Sequence, residues 1–472
     1  MTPRVALACL LSLRLLSPAT AVAAGDTRVA DAAKQGDTAT VQALLRAGAA
    51  PDAPQADGTT ALHWAAYRDD ASLAELLLRS GAKARVENDL RVTPIGLACA
   101  NGNGTLVSRL LAAGGDAGAG AVPPLHHCAR AGSLAGASAL LAAGADAQAT
   151  EPLRQQTALM WAAAHDRAEV VRLLLQRGAN PHARTRVTRR LINRADPNDV
   201  NLAVIGEVNE GGHTALMLAA RTGSVAAARA LLDGGARVDE VAPDGSTALI
   251  LAAHSDQTAM AILLLERGAN PNVISPGYTA LHAAVLRGNA GLTAALIGRR
   301  ANVNSQLRNG TATTRGTRDY FFYEGLTGGT PAWLAARFLE PAVLRQLTTA
   351  GADWRLTPPD GTPALAAAAG VPAQGPLFDR RHRLRLLRTP DEREALETVT
   401  LLLDLGADPN GAGADGNTPL HGAAAQNYPT VIRRLVERGA SLSMPNRAGQ
   451  TPLAAANGPE AAAALRALGA TR

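Results

Sequence analysis

The feature that most constrains this chain is a short motif that recurs about every 33 residues. Each copy opens with a threonine followed by Ala or Pro, and most copies continue with Leu or Ile. The copies begin at Thr60, Thr93, Thr157, Thr214, Thr247, Thr279, Thr330, Thr362, Thr418 and Thr451, with weaker ones at Thr27 and Pro123. A fixed period of this length indicates one small structural unit that is repeated and stacked. The 472 residues therefore predict one extended array of about twelve repeats.

Each repeat has the same internal order. The opening is followed by a pair of small residues such as Ala65-Ala66, and then by a leucine-rich run such as Leu173–Leu175. A Gly-Ala pair ends the run, as at Gly178-Ala179, because glycine readily adopts the left-handed conformation just beyond a helix end. Many repeats then contain a turn pair such as Asp57-Gly58. The pattern predicts two short helices and a turn in every repeat.

The composition agrees with a thin, repeated core. Apolar residues make up 47% of the chain, but aromatic residues make up only 3%. A single deep core usually contains Phe, Tyr and Trp as well as aliphatic side chains. The sequence therefore favours a continuous core of Ala and Leu that neighbouring repeats share.

These residues resemble the ankyrin repeat family. The resemblance rests on TPLH-like openings such as Thr418–His421, on the paired alanines and the leucine run, and on GADPN or GANPN sequences such as Gly268–Asn272. It implies an all-α solenoid of antiparallel helix pairs with a projecting β-hairpin loop after each pair. It also implies a concave side lined by the first helices and the hairpin tips.

Three insertions interrupt the period. We place them at about residues 184–212 and 305–329, at hairpin tips, and at about residues 371–389, between the two helices of one repeat. Long insertions without secondary structure are usually functional or disordered. The second insertion contains the aromatic run Asp319–Tyr323. We expect this run to dock either on the solenoid or on a partner, and the sequence leaves both alternatives open.

The amino terminus has the pattern of a secretory signal. Arg4 precedes the apolar run Val5–Leu13, and small residues suited to cleavage follow at Ala21–Ala23. We expect a cleaved signal peptide over residues 1–24, a solenoid over residues 25–472, and a periplasmic or secreted bacterial protein; an uncleaved anchor is the alternative. No later segment is long and apolar enough to predict a transmembrane helix.

The net charge is +6, and all but two of the basic residues are arginine. Arginine clusters lie within the first insertion, at residues 184–194, and within the third, at residues 380–388. Such clusters often bind anionic partners, but they also occur as solvated loops. Electrostatic binding of an anionic polymer or a membrane surface through these insertions is therefore the alternative function.

The histidines and cysteines have structural explanations. The fourth position of four openings is His63, His126, His282 or His421. In ankyrin repeats a histidine there typically hydrogen-bonds within the turn that begins the first helix, so we expect these residues to be structural. Adjacent His126, His127 and Cys128 point in different directions on a helix and lack further ligands, so we predict no metal site. Because repeats should lie about 10 Å apart, we expect Cys99 and Cys128 to be buried free thiols.

No motif indicates an enzyme or a cofactor: we find no phosphate-binding loop, no dinucleotide fingerprint and no nucleophile elbow. We therefore predict a monomeric, non-enzymatic scaffold that binds one or more proteins and no nucleic acid. Rigid aromatic and arginine side chains are over-represented among binding hot spots. The candidate partner-binding residues are Trp64, Tyr67, Arg68, Trp161, His165, Arg221, His254, Tyr320 and Phe321.

Overall fold

The computed structural model describes residues 26–193, 205–308, 326–371 and 392–471. Over these ranges the structure is helical apart from one two-stranded β-hairpin. The chain divides into two compact units. Unit 1 contains the residues up to Arg186 together with Gly212–Arg237, and unit 2 contains Val187–Gly211 together with the residues from Val238 onward.

Unit 1 is a stack of helix pairs, and each pair is one repeat. The six pairs in its described residues are α1 (Arg28–Gln35) with α2 (Thr38–Arg46), α3 (Ala61–Tyr67) with α4 (Ala71–Arg79), α5 (Pro94–Ala100) with α6 (Gly104–Ala112), α7 (Pro124–Ala131) with α8 (Leu134–Ala142), α9 (Ala158–Ala164) with α10 (Ala168–Gln176), and α11 (Ala215–Thr222) with α12 (Val225–Asp233).

Unit 2 has the same construction. Its described helices are α13 (Ala248–His254), α14 (Thr258–Glu266), α15 (Ala280–Arg287), α16 (Ala290–Gly298), α17 (Pro331–Arg337), α18 (Pro341–Thr349), α19 (Ala364–Ala369), α20 (Glu392–Asp404), α21 (Pro419–Ala425), α22 (Pro429–Glu437) and α23 (Pro459–Ala467). Strands β1 (Val187–Asn193) and β2 (Ile205–Gly211) pair antiparallel, with Val187 opposite Gly211 and Asn193 opposite Ile205.

The repeated threonine starts the first helix of each pair. The Oγ1 atom of Thr93 accepts a hydrogen bond from the Gly96 N–H at 3.0 Å, and that of Thr330 accepts one from Trp333 at 3.3 Å. This bond satisfies an N–H group at the helix start that would otherwise lack a partner. A proline at the next position, such as Pro94, has a fixed φ suited to the first helical residue.

Small residues allow the helices to pack closely, and leucines fill the space between them. Ala65 and Ala66 in α3, and Leu73 and Leu77 in α4, are completely buried. Glycine lies beyond the end of most second helices in a left-handed conformation, as at Gly268 with φ 88°. Arg300 occupies the equivalent position after α16 with φ 62°, although non-glycine residues rarely adopt this conformation. The predicted all-α ankyrin fold is confirmed.

Two segments differ from the simple repeat. The first insertion contains the paired strands β1 and β2, in keeping with its β-favouring Val187-Thr188 and Leu191-Ile192 pairs. The opening at Thr451 leads to turns rather than to a regular first helix. From Thr451 to Pro459 there are eight residues, whereas eleven separate Thr418 from Pro429. The missing three residues amount to almost one helical turn.

Candidate protein-binding surface

The histidines of the repeat openings join neighbouring repeats. In His63, Nδ1 accepts a hydrogen bond from the Thr60 N–H at 3.1 Å, and Nε2 lies 3.0 Å from the carbonyl oxygen of Val92 in the next repeat. His421 makes the same pair of contacts with the Thr418 N–H, at 3.2 Å, and with the Gln450 carbonyl, at 2.9 Å. An accepting Nδ1 leaves the proton on Nε2, which then donates to the carbonyl. The predicted hydrogen bond within the turn is confirmed for His63 and His421. At His126, where Pro123 has no N–H to donate, Nε2 lies 2.8 Å from the Gln156 carbonyl oxygen of the next repeat.

Two further openings make similar contacts from the same fourth position. Trp333 stands at the histidine position of its repeat and donates from Nε1 to the Thr362 carbonyl oxygen at 2.8 Å. His282 is completely buried and accepts from the Thr279 N–H at 3.1 Å. Burial lowers the pKa of His282 from 6.5 to about 4 because a charged imidazole is poorly solvated there. These side chains are therefore neutral structural links between repeats.

The two internal cysteines form a disulfide, so the prediction of free thiols is wrong. Cys99 in α5 and Cys128 in α7 are bonded, with their Cα atoms 4.3 Å apart, and both residues are completely buried. The expected separation of about 10 Å applies to helix axes. Each Cα atom lies about 2.3 Å from its axis, so facing Cα atoms of two such helices approach to about 5 Å.

Small neighbours make room for the bond. Ala98 precedes Cys99, Ala129 follows Cys128, and both are completely buried. A Cβ atom added to Gly136 in α8 would lie 2.6 Å from the Cys128 Sγ atom. Because the Cys128 sulfur is bonded to that of Cys99, it is not available as a metal ligand beside His126 and His127.

Trp64 is half-buried in the middle of α3, and its orientation is fixed from several sides. Its Nε1 donates to the Gln55 Oε1 at 2.8 Å. The Lys34 Nζ atom lies 5.2 Å from the centre of the indole, and Tyr67 packs edge-on at 5.8 Å. Arg68 donates from Nη1 to the Lys34 carbonyl oxygen at 3.3 Å. Part of the indole therefore packs on its neighbours and part stays accessible.

Trp161 in α9 has a matching environment. Its Nε1 donates to the Gln156 Oε1 at 2.9 Å, and the Arg130 guanidinium lies 5.5 Å from the indole centre. The His127 ring packs edge-on at 5.8 Å. Arg167 donates from Nε to the Arg130 carbonyl oxygen at 3.1 Å, as Arg68 does to that of Lys34. Trp161 is also half-buried.

The two tryptophans thus share one construction that the sequence analysis missed. In both, a glutamine binds the indole N–H and a cation from the preceding repeat lies over the ring. The cation precedes its tryptophan by 30 residues for Lys34 and by 31 for Arg130. This offset, close to one repeat, is the sequence signal that could have identified both pairs.

The other predicted residues fall into three groups. In unit 1, Tyr67 is half-buried, whereas Arg68, His165 and Arg221 are exposed. In unit 2, His254 is half-buried with its ring 6.0 Å from that of Tyr278. Tyr320 and Phe321 lie outside the described residues. We use the name first-helix face for the surface of unit 1 formed by Lys34, Trp64, Tyr67, Arg68, Arg130, Trp161, His165 and Arg221.

The described parts of the chain contain neither a metal-binding cluster nor a membrane-spanning helix. No group of three or more His, Cys, Asp or Glu side chains there could hold a metal ion. No helix among the same residues has both the length and the apolar character needed to cross a membrane.

Comparison with known proteins defines the class to which this fold belongs. The profile of ankyrin repeats in three copies matches residues 29–121, 95–185, 183–275, 237–307 and 392–470. These matches cover well over half of the chain. The chain belongs to the ankyrin repeat family.

Individual relatives match shorter stretches. The chain is 38% identical over 120 residues to ankyrin repeat and SOCS box protein 16 of Mus musculus, which covers 25% of this chain and 23% of that protein. It is 38% identical over 133 residues to neurogenic locus notch homolog protein 4 of Homo sapiens, covering 28% and 6%. It is 49% identical over 61 residues to protein PhlB of Serratia liquefaciens, covering 13% and 27%. The chain thus spans about a quarter or less of these relatives.

Among solved structures, the human ASB11 ankyrin repeat domain aligns with a TM-score of 0.42 and 25% sequence identity. That alignment covers 52% of this chain and 98% of the other.

Proposed function

We propose that this chain is an exported, non-enzymatic ankyrin-repeat protein that binds one or more partner proteins through the first-helix face. Ankyrin repeats are in general protein–protein interaction modules. The observation that carries the proposal is the pair of half-buried tryptophans, each held by a glutamine and a cation. Aromatic side chains that are already fixed lose little conformational freedom when a partner binds.

The disulfide supports the export part of the proposal. Disulfides persist in oxidising compartments such as the bacterial periplasm and are rare in the cytosol. The Cys99–Cys128 bond therefore agrees with the signal peptide predicted over residues 1–24. A reporter fused after residues 1–40 tests this directly: we expect export, whereas retention in the cytoplasm would reject it.

The binding face is tested by cross-linking in the exported fraction. We expect the variants Trp64→Ala and Trp161→Ala, combined in one chain, to lose most of the partner that the wild type captures. Trp354→Ala is a matched control, because Trp354 is also half-buried and also lies under a cation, Arg355, whose Cζ is 4.5 Å from the ring centre. Trp354 belongs to unit 2.

A second variant separates binding from folding. Arg68→Glu with His165→Glu changes exposed side chains of the same face and should leave the fold intact while capture falls. Undiminished capture by both double variants would reject the proposed face. If capture then fell steeply with salt, it would favour the alternative, in which arginine-rich insertions bind an anionic polymer or a membrane surface.

A further inference from the structure

We propose that the first-helix face recognises an acidic protein segment, whose carboxylates contact Lys34 and Arg130 and whose apolar side chains contact the two indoles. This inference rests on the proposed function and adds the chemistry of the partner. It is carried by the state of the charged groups around Trp64 and Trp161.

The two cations keep their donors available. Among the described residues, no carboxylate forms a salt bridge with Lys34 or Arg130; each side chain instead lies over its indole. A lysine ammonium has three donors and an arginine guanidinium has five. The electrostatic attraction of the ring holds each cation in place, and N–H groups that point away from the ring stay available. Both groups are therefore positioned to accept a carboxylate from a partner.

The neighbouring carboxylates already have partners. In Asp31, one oxygen accepts from Gln55 at 2.6 Å and the other from Thr27 at 2.8 Å. These hydrogen bonds, from Gln55 and then from Thr27, lower the pKa of the Asp31 carboxyl, and the charge of Lys34 adds a smaller effect in the same direction. The Gln55 that binds Asp31 also binds Trp64, so this carboxylate serves to fix the indole.

The aspartates in the turns after the first helices are also used within the stack. Asp69 accepts from the Asn103 Nδ2 at 2.7 Å, and Asp166 accepts from the Ala227 N–H at 2.8 Å. A basic partner would have to compete with these internal bonds. An acidic partner would meet two cations that form no salt bridge among the described residues, so charge complementarity favours it.

The spacing of the two indoles favours an extended segment of protein. Trp64 and Trp161 are three repeats apart, and with about 10 Å between neighbouring helices they are separated by about 30 Å. An extended chain rises about 3.3 Å per residue, so about nine residues bridge the two indoles. A nucleic acid fits this face less well, because Lys34 and Arg130 are separated by the same three repeats and do not form a continuous basic row along it.

Synthetic peptides of about twelve residues test the chemistry, since that length spans both indoles. The three probes alternate Glu with Tyr, Lys with Tyr, and Glu with Ser. We expect the Glu–Tyr peptide to bind at least about tenfold more tightly than the other two at physiological ionic strength. Equal binding of the Glu–Tyr and Lys–Tyr peptides would overturn the proposal. So would equal binding of the Glu–Ser peptide, or tight binding of single-stranded DNA.

Substitutions locate the effect. Lys34→Met with Arg130→Met keeps an aliphatic side chain over each indole but removes the charge, and we expect it to weaken Glu–Tyr binding about tenfold. Lys34→Glu with Arg130→Glu should reverse the preference towards the Lys–Tyr peptide. Arg355→Met, at the cation that lies over Trp354, is the matched control and should change nothing. Equal weakening by Arg355→Met would overturn the assignment.

The native partner distinguishes this inference from the function on which it rests. If the tryptophan variants abolish capture and the charge variants do not, the binding face stands and the acidic partner is rejected. If neither the tryptophan variants nor the charge variants reduce capture, the binding face and the acidic partner are both rejected.

Discussion

Opening the Cys99–Cys128 disulfide should destabilise unit 1 by an amount that follows from the length of chain it closes. The two cysteines are 29 positions apart. For a loop of about 30 residues, the chain-entropy relation gives a loss of about 3.6 kcal/mol at 25 °C when the cross-link is removed. Reduction tests this term more directly because it removes no heavy atoms, whereas Cys99→Ala with Cys128→Ala adds the effect of a cavity.

The assay compares urea unfolding, followed by circular dichroism, of the oxidised and reduced protein. The protein used begins at Gly25, after the proposed signal, so that only Cys99 and Cys128 can react with a thiol reagent. Because neighbour-only contacts allow repeat proteins to unfold locally, amide hydrogen exchange in helices α5–α8 should report the loss more directly than the global transition. We expect no reactive thiol in the native oxidised protein and faster exchange in these helices after reduction.

Equal stability of the two forms would refute this reasoning. So would two thiols that react rapidly in the native protein as purified from an oxidising compartment, because the bonded cysteines are completely buried.

Three further predictions concern the repeats. His282 should contribute a loss of stability of about 3 kcal/mol between pH 6.5 and pH 4, since burial lowers its pKa from 6.5 to about 4 and the unfolded chain takes up the proton first. The urea midpoint as a function of pH, compared between the wild type and His282→Gln, measures this contribution. Identical pH profiles of the two proteins would contradict it. His421→Ala should lower the free energy of unfolding by about 3 kcal/mol, because it removes the hydrogen bonds to Thr418 and Gln450 and leaves a cavity. Urea unfolding measures this loss. A loss below about 1 kcal/mol would show that these hydrogen bonds contribute little. Arg300→Gly should stabilise the fold by about 1 kcal/mol, since Arg300 has a φ of 62°, which glycine adopts without strain. Gly268→Ala should destabilise the fold by a similar amount for the same reason. Thermal melts in which both variants shift the melting temperature in the same direction would count against this explanation.

Local signals made the fold predictable from the sequence. A threonine that caps a helix, an alanine pair that permits close packing and a glycine beyond a helix end each act within a few residues. Their recurrence therefore specified the helix pairs, and the position of His63 and His421 in the opening specified their structural role.

Contacts between repeats were harder to predict. The disulfide was missed because the distance between helix axes was applied to Cα atoms, which approach more closely. The Lys34–Trp64 and Arg130–Trp161 pairs depend on side-chain geometry across a repeat boundary, which a motif within one repeat does not contain. Strands β1 and β2 lie in a segment that the sequence analysis recognised only as an arginine-rich insertion.

Site-specific photo-cross-linking in the native compartment tests the central claim most directly. A photoreactive residue placed at Arg68 or at His165, both exposed on the first-helix face, should capture the same partner protein. The same residue placed at Arg79 or at Arg172, on the second helices α4 and α10, should capture none. Capture from the second helices and not from the first-helix face would contradict the account.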